Sequence, residues 1–285
     1  MEKKFKPFFK WSGGKSKEFD KVVKWAPKEY NAYYEPFLGG GAVWLGLAPK
    51  KSIVGDYYDE VTNFFQILKS EGQTFINECY KLSKTYNKLI IDNVTGTKSK
   101  SQGKAEFKLA AEFYYDWRSK HNLVGKEKAK RFFVLRCLGY GGMLRFNSKG
   151  EFNVPYGYYK SLKTLDYPDG IDKLLNNTAI ITGDWEKTLQ TAGSDDFVFF
   201  DPPYTREFKE YSSGNSFGNK EQERLCDYFK NKKSKCMIIM NKDDFTYNLY
   251  KDYIKEEYDF NYSTKYRDRI SNEDNRDIHF VATNY

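Results

Sequence analysis

Residues 30–56 constrain the fold more than any other stretch, because the hydrophobic pattern changes twice at fixed points. The run YNAYYEPF (30–37) predicts a β-strand and leads into LGGG (38–41). The next residues, AVWLGLA, have helical spacing, and SIVGD (52–56) is a second short apolar run that ends in an acid. Strand, glycine turn, helix and strand in this order predict a doubly wound α/β fold.

The same alternation returns in the second half of the chain. Residues 179–184 (AIITGD) and 196–204 (DFVFFDPPY) predict strands. A helix (219–232), a strand (235–241) and another helix (245–257) follow, before two final strands. We expect residues 205–219 to form a mobile loop that becomes ordered only when a ligand binds.

The residues between the two halves predict an insertion. Helical patterns cover about 60–89, 105–120 and 127–138, while residues 92–104 are polar and basic, as in an exposed loop. Residues 138–160 are rich in glycine and aromatic residues and predict a hairpin or a loop-rich surface unit, with the turn at 148–150.

These patterns divide the chain into two predicted domains. Residues 1–59 and 166–285 together form the α/β domain. Residues 60–165 form an inserted, mainly helical domain that carries the β-hairpin. A length of 285 residues suits one large domain with such an insertion.

Composition indicates a globular protein with an anionic partner. Apolar residues make up 40% of the chain and charged residues 30%, and the net charge of +8 favours nucleic acid as the partner. The four cysteines lack C-x-x-C spacing and no signal peptide begins the chain, so we expect reduced thiols in the cytoplasm. No apolar run approaches 18 residues, which predicts no membrane span. Only His121 and His279 occur, which disfavours a zinc site or a His-based triad, and we expect no metal.

The sharpest motif is Asp201-Pro202-Pro203-Tyr204, which follows an apolar strand at the edge where open α/β sheets bind ligands. Two prolines remove N–H donors and stiffen the turn, so a backbone carbonyl can point outward. That carbonyl and the Asp201 carboxylate offer two acceptors to one amino group. Tyr204 offers a flat face to a purine. The alternative is a rigid turn in which Asp201 caps a helix.

Three other strand ends predict a nucleoside site. Glycines 39–41 would let a ligand approach the backbone, although their spacing is not the G-x-G-x-x-G of dinucleotide sites. Asp56 ends the next strand, where an acid can accept hydrogen bonds from ribose hydroxyls. Asp184 can accept from an adenine amino group, with Trp185 against the ring. A tight strand–helix turn and an exposed acid beside a core tryptophan are the alternatives.

The stretch KWSGGKSK (10–17) has the ending of a phosphate loop without its beginning. Gly14, Lys15 and Ser16 fit the end of G-x-x-x-x-G-K-[ST], but Phe9 stands where the first glycine belongs. A P-loop ATPase is therefore a weak alternative. Gly13 and Gly14 would instead let the backbone approach a different ligand.

Four motifs in order, KWSGGK, EPFLGGG, FNVPYG and DPPY, resemble the Dam-type DNA adenine-N6 methyltransferases (D12 class). The resemblance extends from Phe8 to about Asn241 and is weaker beyond. It implies a doubly wound, Rossmann-like methyltransferase sheet with S-adenosylmethionine as cofactor and double-stranded DNA as partner. It also implies methyl transfer to N6 of a flipped adenine, within GATC. We expect a monomer in the cytoplasm of a bacterium or of a virus-infected host.

The resemblance also implies roles for individual residues. Those expected to bind the cofactor are Trp11, Lys15, Glu35, Phe37, Gly39, Gly41, Asp56, Asp184, Trp185 and Asp201. Those expected to hold the target base are Asp201, Pro202, Pro203 and Tyr204. Those expected to contact DNA are Lys10, Tyr140, Met143, Leu144, Arg145, Pro155 and Tyr159. Some family members have asparagine beside the aromatic residue where this chain has Gly141 and Gly142, so the resemblance does not extend to how the space left by the flipped base is filled.

Two alternatives remain from the sequence. Methyltransferases that act on cytosine N4, RNA adenine or glutamine amides use related turns, although FNVPYG and the order of the motifs favour adenine in duplex DNA. The other alternative is a DNA-binding protein on a decayed methyltransferase scaffold. Intact Lys15, Glu35, Asp56 and Asp201 disfavour it.

Overall fold

The structure, a computed structural model, describes residues 2–93, 105–203, 217–261 and 276–285. Within these residues, seven strands form one sheet in the order β3-β2-β1-β4-β5-β7-β6. The strands are β1 (Tyr33–Glu35), β2 (Ser52–Asp56), β3 (Thr178–Thr182), β4 (Phe197–Phe200), β5 (Lys235–Asn241), β6 (Ile254–Asn261) and β7 (Arg276–Thr283).

The first five strands are parallel, and the last two form an antiparallel edge. β1 pairs in parallel with both β2 and β4, while β5 pairs antiparallel with β7. All residues of β1 and β4 are buried, as expected for strands covered on both faces. β6, at the edge, alternates between half-buried and exposed residues. The predicted doubly wound α/β fold is confirmed.

The order of the strands locates the ligand crevice. From β1 the chain adds β2 and β3 on one side, and it then returns to add β4 and β5 on the other. The direction of winding therefore reverses between β1 and β4. Ligands of open α/β sheets bind at the carboxyl ends of the strands at such a switch point.

Helices cover the sheet and build the region between β2 and β3. They are α1 (Phe19–Trp25), α2 (Ala42–Leu47), α3 (Asp59–Glu71), α4 (Gln73–Asn93), α5 (Lys108–Ser119), α6 (Gly125–Leu138), α7 (Ile171–Asn176), α8 (Trp185–Thr188), α9 (Asn219–Asn231) and α10 (Asp244–Tyr250). Short 3-10 turns lie at Lys15–Lys17, Tyr140–Gly142 and Lys251–Tyr253.

Two predicted elements differ from the structure. The helix predicted for 245–257 ends at Tyr250, and β6 already begins at Ile254. Burial along β6 alternates with a period of two, and tertiary pairing with β7 overrides local helical spacing. Asp92 and Asn93, predicted to begin a loop, are the last residues of α4. The rest of that predicted loop, and residues 205–216 of the predicted mobile loop, lie outside the described residues.

The sheet and the inserted helices share one apolar core. α3 packs against β2 and β3 on one side and against α6 on the other. The Phe9 ring lies 5.0 Å from that of Phe64 in α3 and 4.9 Å from that of Phe132 in α6, both nearly perpendicular. The domain boundaries at residues 59/60 and 165/166 remain predictions.

The predicted hairpin is present between residues 139 and 156. Antiparallel bridges join Gly139 to Tyr156 and Phe146 to Phe152. The turn closes where the Gly150 amide donates to the Asn147 carbonyl at 2.9 Å. The four cysteines are buried free thiols. None of the described helices is both long and apolar enough to cross a membrane.

Candidate active site

A cavity of about 800 Å³ lies at the carboxyl ends of the parallel strands, a size typical of small-molecule sites. It brings together residues predicted from four separate strand ends and from residues 10–17, the N-terminal loop. The predicted cofactor residues that line it are Trp11, Lys15, Glu35, Phe37, Gly39, Asp56, Asp184, Trp185 and Asp201. Gly41 is not part of the lining. A Cβ there would lie 3.2 Å from the Trp44 ring and 3.3 Å from the Phe65 ring, so Gly41 faces the core.

The glycine turn after β1 is shaped by a contact within the protein. Gly39 has a φ of +48°, and a Cβ on it would lie only 2.4 Å from Trp11 Nε1. The Trp11 indole therefore packs directly on the backbone of Gly39 and Gly40. The N-terminal loop and the glycine turn form one wall of the cavity.

Glu35 is a buried carboxyl at the end of β1. Its Oε2 accepts hydrogen bonds from the Tyr33 hydroxyl at 2.7 Å and from the Trp44 amide at 2.9 Å. Burial raises the pKa of Glu35 to about 8, although the Tyr33 hydrogen bond opposes the change. A cationic ligand group nearby would favour the ionised form.

Asp56, at the end of β2, is held by backbone amides. Gly39 N donates to Oδ2 at 2.8 Å, and Tyr58 N donates to Oδ1 at 2.9 Å. Burial raises the pKa of Asp56 to about 6 against these hydrogen bonds. Because a carboxylate oxygen has more than one lone pair, Asp56 can still accept from ligand hydroxyls.

Asp184 and Trp185 follow β3, and Arg224 of α9 covers both. Asp184 Oδ1 caps α8 by accepting from Glu186 N at 3.0 Å, and it also accepts from Arg224 Nη2 at 2.6 Å. The Arg224 guanidinium lies 4.8 Å from the centre of the Trp185 ring. The Trp185 Nε1 is buried and has no hydrogen-bond partner among the described residues. Sequence reasoning missed Arg224 because no local motif marks it.

Asp201 follows β4 and pairs with a lysine from the N-terminal loop. Lys15 Nζ lies 2.5 Å from Asp201 Oδ1, and 1% of the Lys15 side chain is exposed against 19% of the Asp201 side chain. Burial raises the pKa of Asp201 to about 6, and the Lys15 ammonium limits this rise. Asp201 therefore presents an acidic acceptor to the cavity together with a fixed counter-ion.

The proline turn is held from α9. Gln222, fully buried, donates from Nε2 to the Pro203 carbonyl at 3.0 Å. Pro202 and Pro203 both line the cavity. Tyr204, predicted to stack on the target base, lies outside the described residues.

A buried polar group that the sequence did not predict lies behind Lys15. Glu18 Oε2 lies 3.8 Å from Lys15 Nζ, and Glu18 Oε1 bonds His279 Nδ1 at 2.7 Å and accepts from the Tyr258 hydroxyl at 2.6 Å. Burial raises the pKa of Glu18, but the His279 hydrogen bond and the Lys15 charge together lower it by more. The pKa of Glu18 therefore lies below its usual value. Glu18 therefore links Tyr258 and His279, in the antiparallel edge of the sheet, to Lys15 in the cavity.

The predicted DNA contacts come from the N-terminal loop, from the hairpin and from Tyr159, which follows the hairpin. Lys10 is exposed, and its Nζ lies 4.1 Å from the centre of the Tyr159 ring. Tyr140 is 58% exposed, whereas Leu144 is buried and lines the cavity. Arg145 is held across the hairpin, donating to the side chain and the carbonyl of Asn153 at 2.9 and 3.1 Å. The other two predicted contacts are the half-buried Met143 and the exposed Pro155.

Acidic, histidine and cysteine side chains do not form a metal centre in the part of the chain that the structure describes. There, no three of them converge in a group that could hold an ion.

Comparisons with known proteins identify the family. A model of the D12 class N6 adenine-specific DNA methyltransferases matches residues 11–264. The Type II methyltransferase M1.LlaDCHI of Lactococcus lactis subsp. cremoris is 33% identical over 266 residues, which cover 87% of this chain and 85% of that protein. The Type II methyltransferase M.CviBI of Paramecium bursaria Chlorella virus NC1A is 32% identical over 288 residues, covering 98% and 100%. The DNA adenine methylase of Haemophilus influenzae is 30% identical over 263 residues, covering 87% and 83%.

The chain belongs to the family of D12 class N6 adenine-specific DNA methyltransferases. It is an adenine-specific DNA methyltransferase, and the resemblance drawn from its four motifs is confirmed.

Proposed function

We propose that the protein transfers a methyl group from S-adenosylmethionine to N6 of a flipped adenine in duplex DNA, within GATC. The observation that carries this proposal is the shared cavity in which Asp201 meets the ends of β1, β2 and β3. One cavity therefore contains Asp201, which can accept from an exocyclic amino group, together with the acceptors that suit a nucleoside.

The chemistry of the lining fits the cofactor. Glu35 offers a carboxylate to an ammonium group, Asp56 offers acceptors to ribose hydroxyls, and Asp184 offers an acceptor to an adenine amino group. The close packing of Trp11 on Gly39 leaves no room for a side chain in the turn. When bound, S-adenosylmethionine would supply an electrophilic methyl carbon on its sulfonium.

The residues of the proline turn orient the target. Asp201 and the Pro202 carbonyl would accept the two N6 hydrogens and direct the nitrogen lone pair at the methyl carbon. Lys15 would keep Asp201 ionised and therefore an acceptor. Positioning and fixed acceptors of this kind supply most of the rate enhancement in such transfers. Tyr204 is proposed to stack on the adenine, which offsets part of the few kcal/mol needed for flipping.

The target sequence would be read from the cavity mouth. Residues 60–165 are proposed to form the recognition domain, with Lys10 and Tyr140 at the DNA surface. Arg145 would contact a guanine, because arginine forms bidentate hydrogen bonds with guanine O6 and N7. The two hydrogen bonds to Asn153 use Nε and one N–H of Nη2, so the remaining donors on Nη1 and Nη2 could contact the base while Asn153 holds the side chain.

A methylation assay tests the proposal. Purified protein and methyl-tritiated S-adenosylmethionine are incubated with three matched duplexes: GATC, GATC already methylated at N6, and a duplex with the same base composition but without GATC. Tritium in N6-methyladenine of the first duplex alone supports the proposal. Label in N4-methylcytosine contradicts the substrate, and equal label in the first and third duplexes contradicts the target sequence.

A further inference from the structure

Arg136, near the end of α6, binds two segments that are far apart in the sequence. Its Nε and Nη2 donate to the Lys10 carbonyl at 3.3 and 3.0 Å. Its Nη1 donates to the Met143 carbonyl at 2.9 Å, and Nη2 also donates to the Gly142 carbonyl at 2.6 Å. One guanidinium thus joins the N-terminal loop to the base of the 139–156 hairpin.

The same guanidinium lies against the cofactor wall of the cavity. Its central carbon is 4.7 Å from the centre of the Trp11 ring, which in turn packs on Gly39. Beside it, the Lys10 side chain reaches Tyr159 at the DNA side. Arg136 therefore touches the backbone or the ring of residues on both the cofactor side and the DNA side of the cavity.

The burial of Arg136 helps to explain why an arginine occupies this position. Only 1% of Arg136 is exposed, and removing a cation from water is costly unless hydrogen bonds compensate. Five N–H donors in a rigid plane can serve three carbonyls at once, whereas a lysine ammonium is a point charge on a flexible stem. A buried apolar side chain would fill the same space but would leave these carbonyls without this donor.

We propose that Arg136 is a positioning residue that couples cofactor binding to DNA binding, by fixing the N-terminal loop against the base of the hairpin. This inference depends on the proposed function, since it needs both ligands. The hydrogen bonds of the Arg136 guanidinium set the position of Trp11 relative to the hairpin. A cofactor that orders the N-terminal loop therefore favours the hairpin position that DNA binds, and DNA that orders the hairpin favours the loop position that the cofactor binds.

Equilibrium binding tests the coupling with a ligand pair that cannot react. S-adenosylhomocysteine affinity is measured by calorimetry with and without a saturating GATC duplex, and duplex affinity is measured with and without S-adenosylhomocysteine. Linkage requires both ratios to be equal. In the wild type we expect each ligand to tighten the other by at least about fivefold, the lower end of typical couplings. In Arg136→Lys we expect the ratio to fall below about twofold.

Arg131 provides a matched control on the same helix. It is also buried, and it bonds Glu60 at 2.8 Å and the Arg118 carbonyl at 3.2 Å, neither of which belongs to the N-terminal loop or the hairpin. Arg131→Lys also removes a buried guanidinium and its hydrogen bonds, so it reports the effect of general destabilisation. We expect it to retain the wild-type ratio.

A second pair of variants covers the case in which Arg136→Lys does not fold. Gly142→Ala strains a residue with φ of +66° and displaces a carbonyl that Arg136 binds. Gly141→Ala imposes the same strain at φ +63° on the neighbouring residue. Only Gly142→Ala should lower the coupling ratio.

The outcomes separate this inference from the proposed function. If the wild type binds neither ligand, the proposed function fails. If both ligands bind but the wild type shows no coupling, or if Arg136→Lys and Gly142→Ala keep the wild-type ratio, the role of Arg136 is overturned.

Discussion

Lys15 Nζ lies 2.5 Å from Asp201 Oδ1, so the motif near the start of the chain supplies the counter-ion of the acid in the proline turn. The family resemblance assigns Lys15 to the cofactor, where it would pair with a ligand carboxylate. In the structure its ammonium pairs with a carboxylate of the protein.

In the proposed mechanism, Asp201 acts as an ionised acceptor for the target amino group. Its pKa is raised to about 6, mainly by burial, while Lys15 lowers it. The single-turnover rate should therefore rise with pH through about 6. In Lys15→Met, which loses the cation, this limb should move to higher pH, as a stopped-flow pH series would show. Lys17→Met, which changes the exposed lysine in the same loop, is the control. A limb at the same pH in Lys15→Met and Lys17→Met would contradict the role given to Lys15.

Asp201→Asn keeps the shape of the side chain and loses its charge and one acceptor. We expect methyl transfer to fall at least about 100-fold, the effect of removing one preorganised polar group from a transition-state site. Binding of the GATC duplex, measured by anisotropy, should change by less than about threefold. Asp201 lies in the cavity where methyl transfer is proposed to occur, and not at the proposed DNA surface. Retention of more than about a tenth of the wild-type rate would remove Asp201 from the mechanism we propose.

Glu35 should make the ligand-free protein less stable as pH rises. Because burial raises its folded-state pKa to about 8, the folded protein binds a proton between pH 4.5 and 8 that the unfolded chain has released. The free energy of unfolding then falls with rising pH in this window, by at most about 1.4 kcal/mol per pH unit. Chemical denaturation at pH 5, 6.5 and 8 measures the slope, which Glu35→Gln should flatten.

The control for that experiment is Glu256→Gln. Hydrogen bonds from Lys21, Lys24 and Trp25 lower the pKa of Glu256 to about 2, so its titration lies outside the window. A slope that persists in Glu35→Gln would assign the pH dependence to other groups, among them Asp56 and Asp201, whose pKa values are also raised.

Gly39→Ala should weaken cofactor binding through a defined clash. The new methyl group would lie 2.4 Å from Trp11 Nε1, and the residue would keep a left-handed φ. We expect S-adenosylhomocysteine affinity to fall at least about tenfold, which is about 1.4 kcal/mol. Gly125→Ala has a similar φ of +53°, nothing within 4 Å of the added Cβ and no place in the cavity lining, so it reports the backbone strain alone. Equal losses in both variants would mean that the Trp11 contact is unimportant.

The strand ends were predictable from the sequence because one rule places them together. The carboxyl ends of parallel strands meet at one edge of the sheet, so the order of the motifs along the chain is enough to assign Glu35, Asp56, Asp184 and Asp201 to one site. The glycine turn was predictable for a related reason, since it joins a strand to a helix. The hairpin followed from its turn residues.

The partners of those residues were not predictable. Arg224 and Gln222 lie on α9, His279 lies on β7, and Glu18 directly precedes α1. Their local patterns explain them as ordinary surface or core positions. Their roles arise from contacts between distant segments, which no spacing in the sequence encodes. The helix predicted after residue 245 was partly wrong for the same reason, because pairing with β7 decides the structure from Ile254 onward.

Phe9, the residue that breaks the phosphate-loop pattern, has a consequence for cooperativity. It is 3% exposed and packs at once against Phe64, Phe65 and Phe132. One aromatic cluster therefore joins the residue that precedes the N-terminal loop to α3, which packs on the sheet, and to α6. Because Phe9 directly precedes the loop that carries Lys15, we expect loss of these aromatic contacts to loosen that loop and the helices α3 and α6 together.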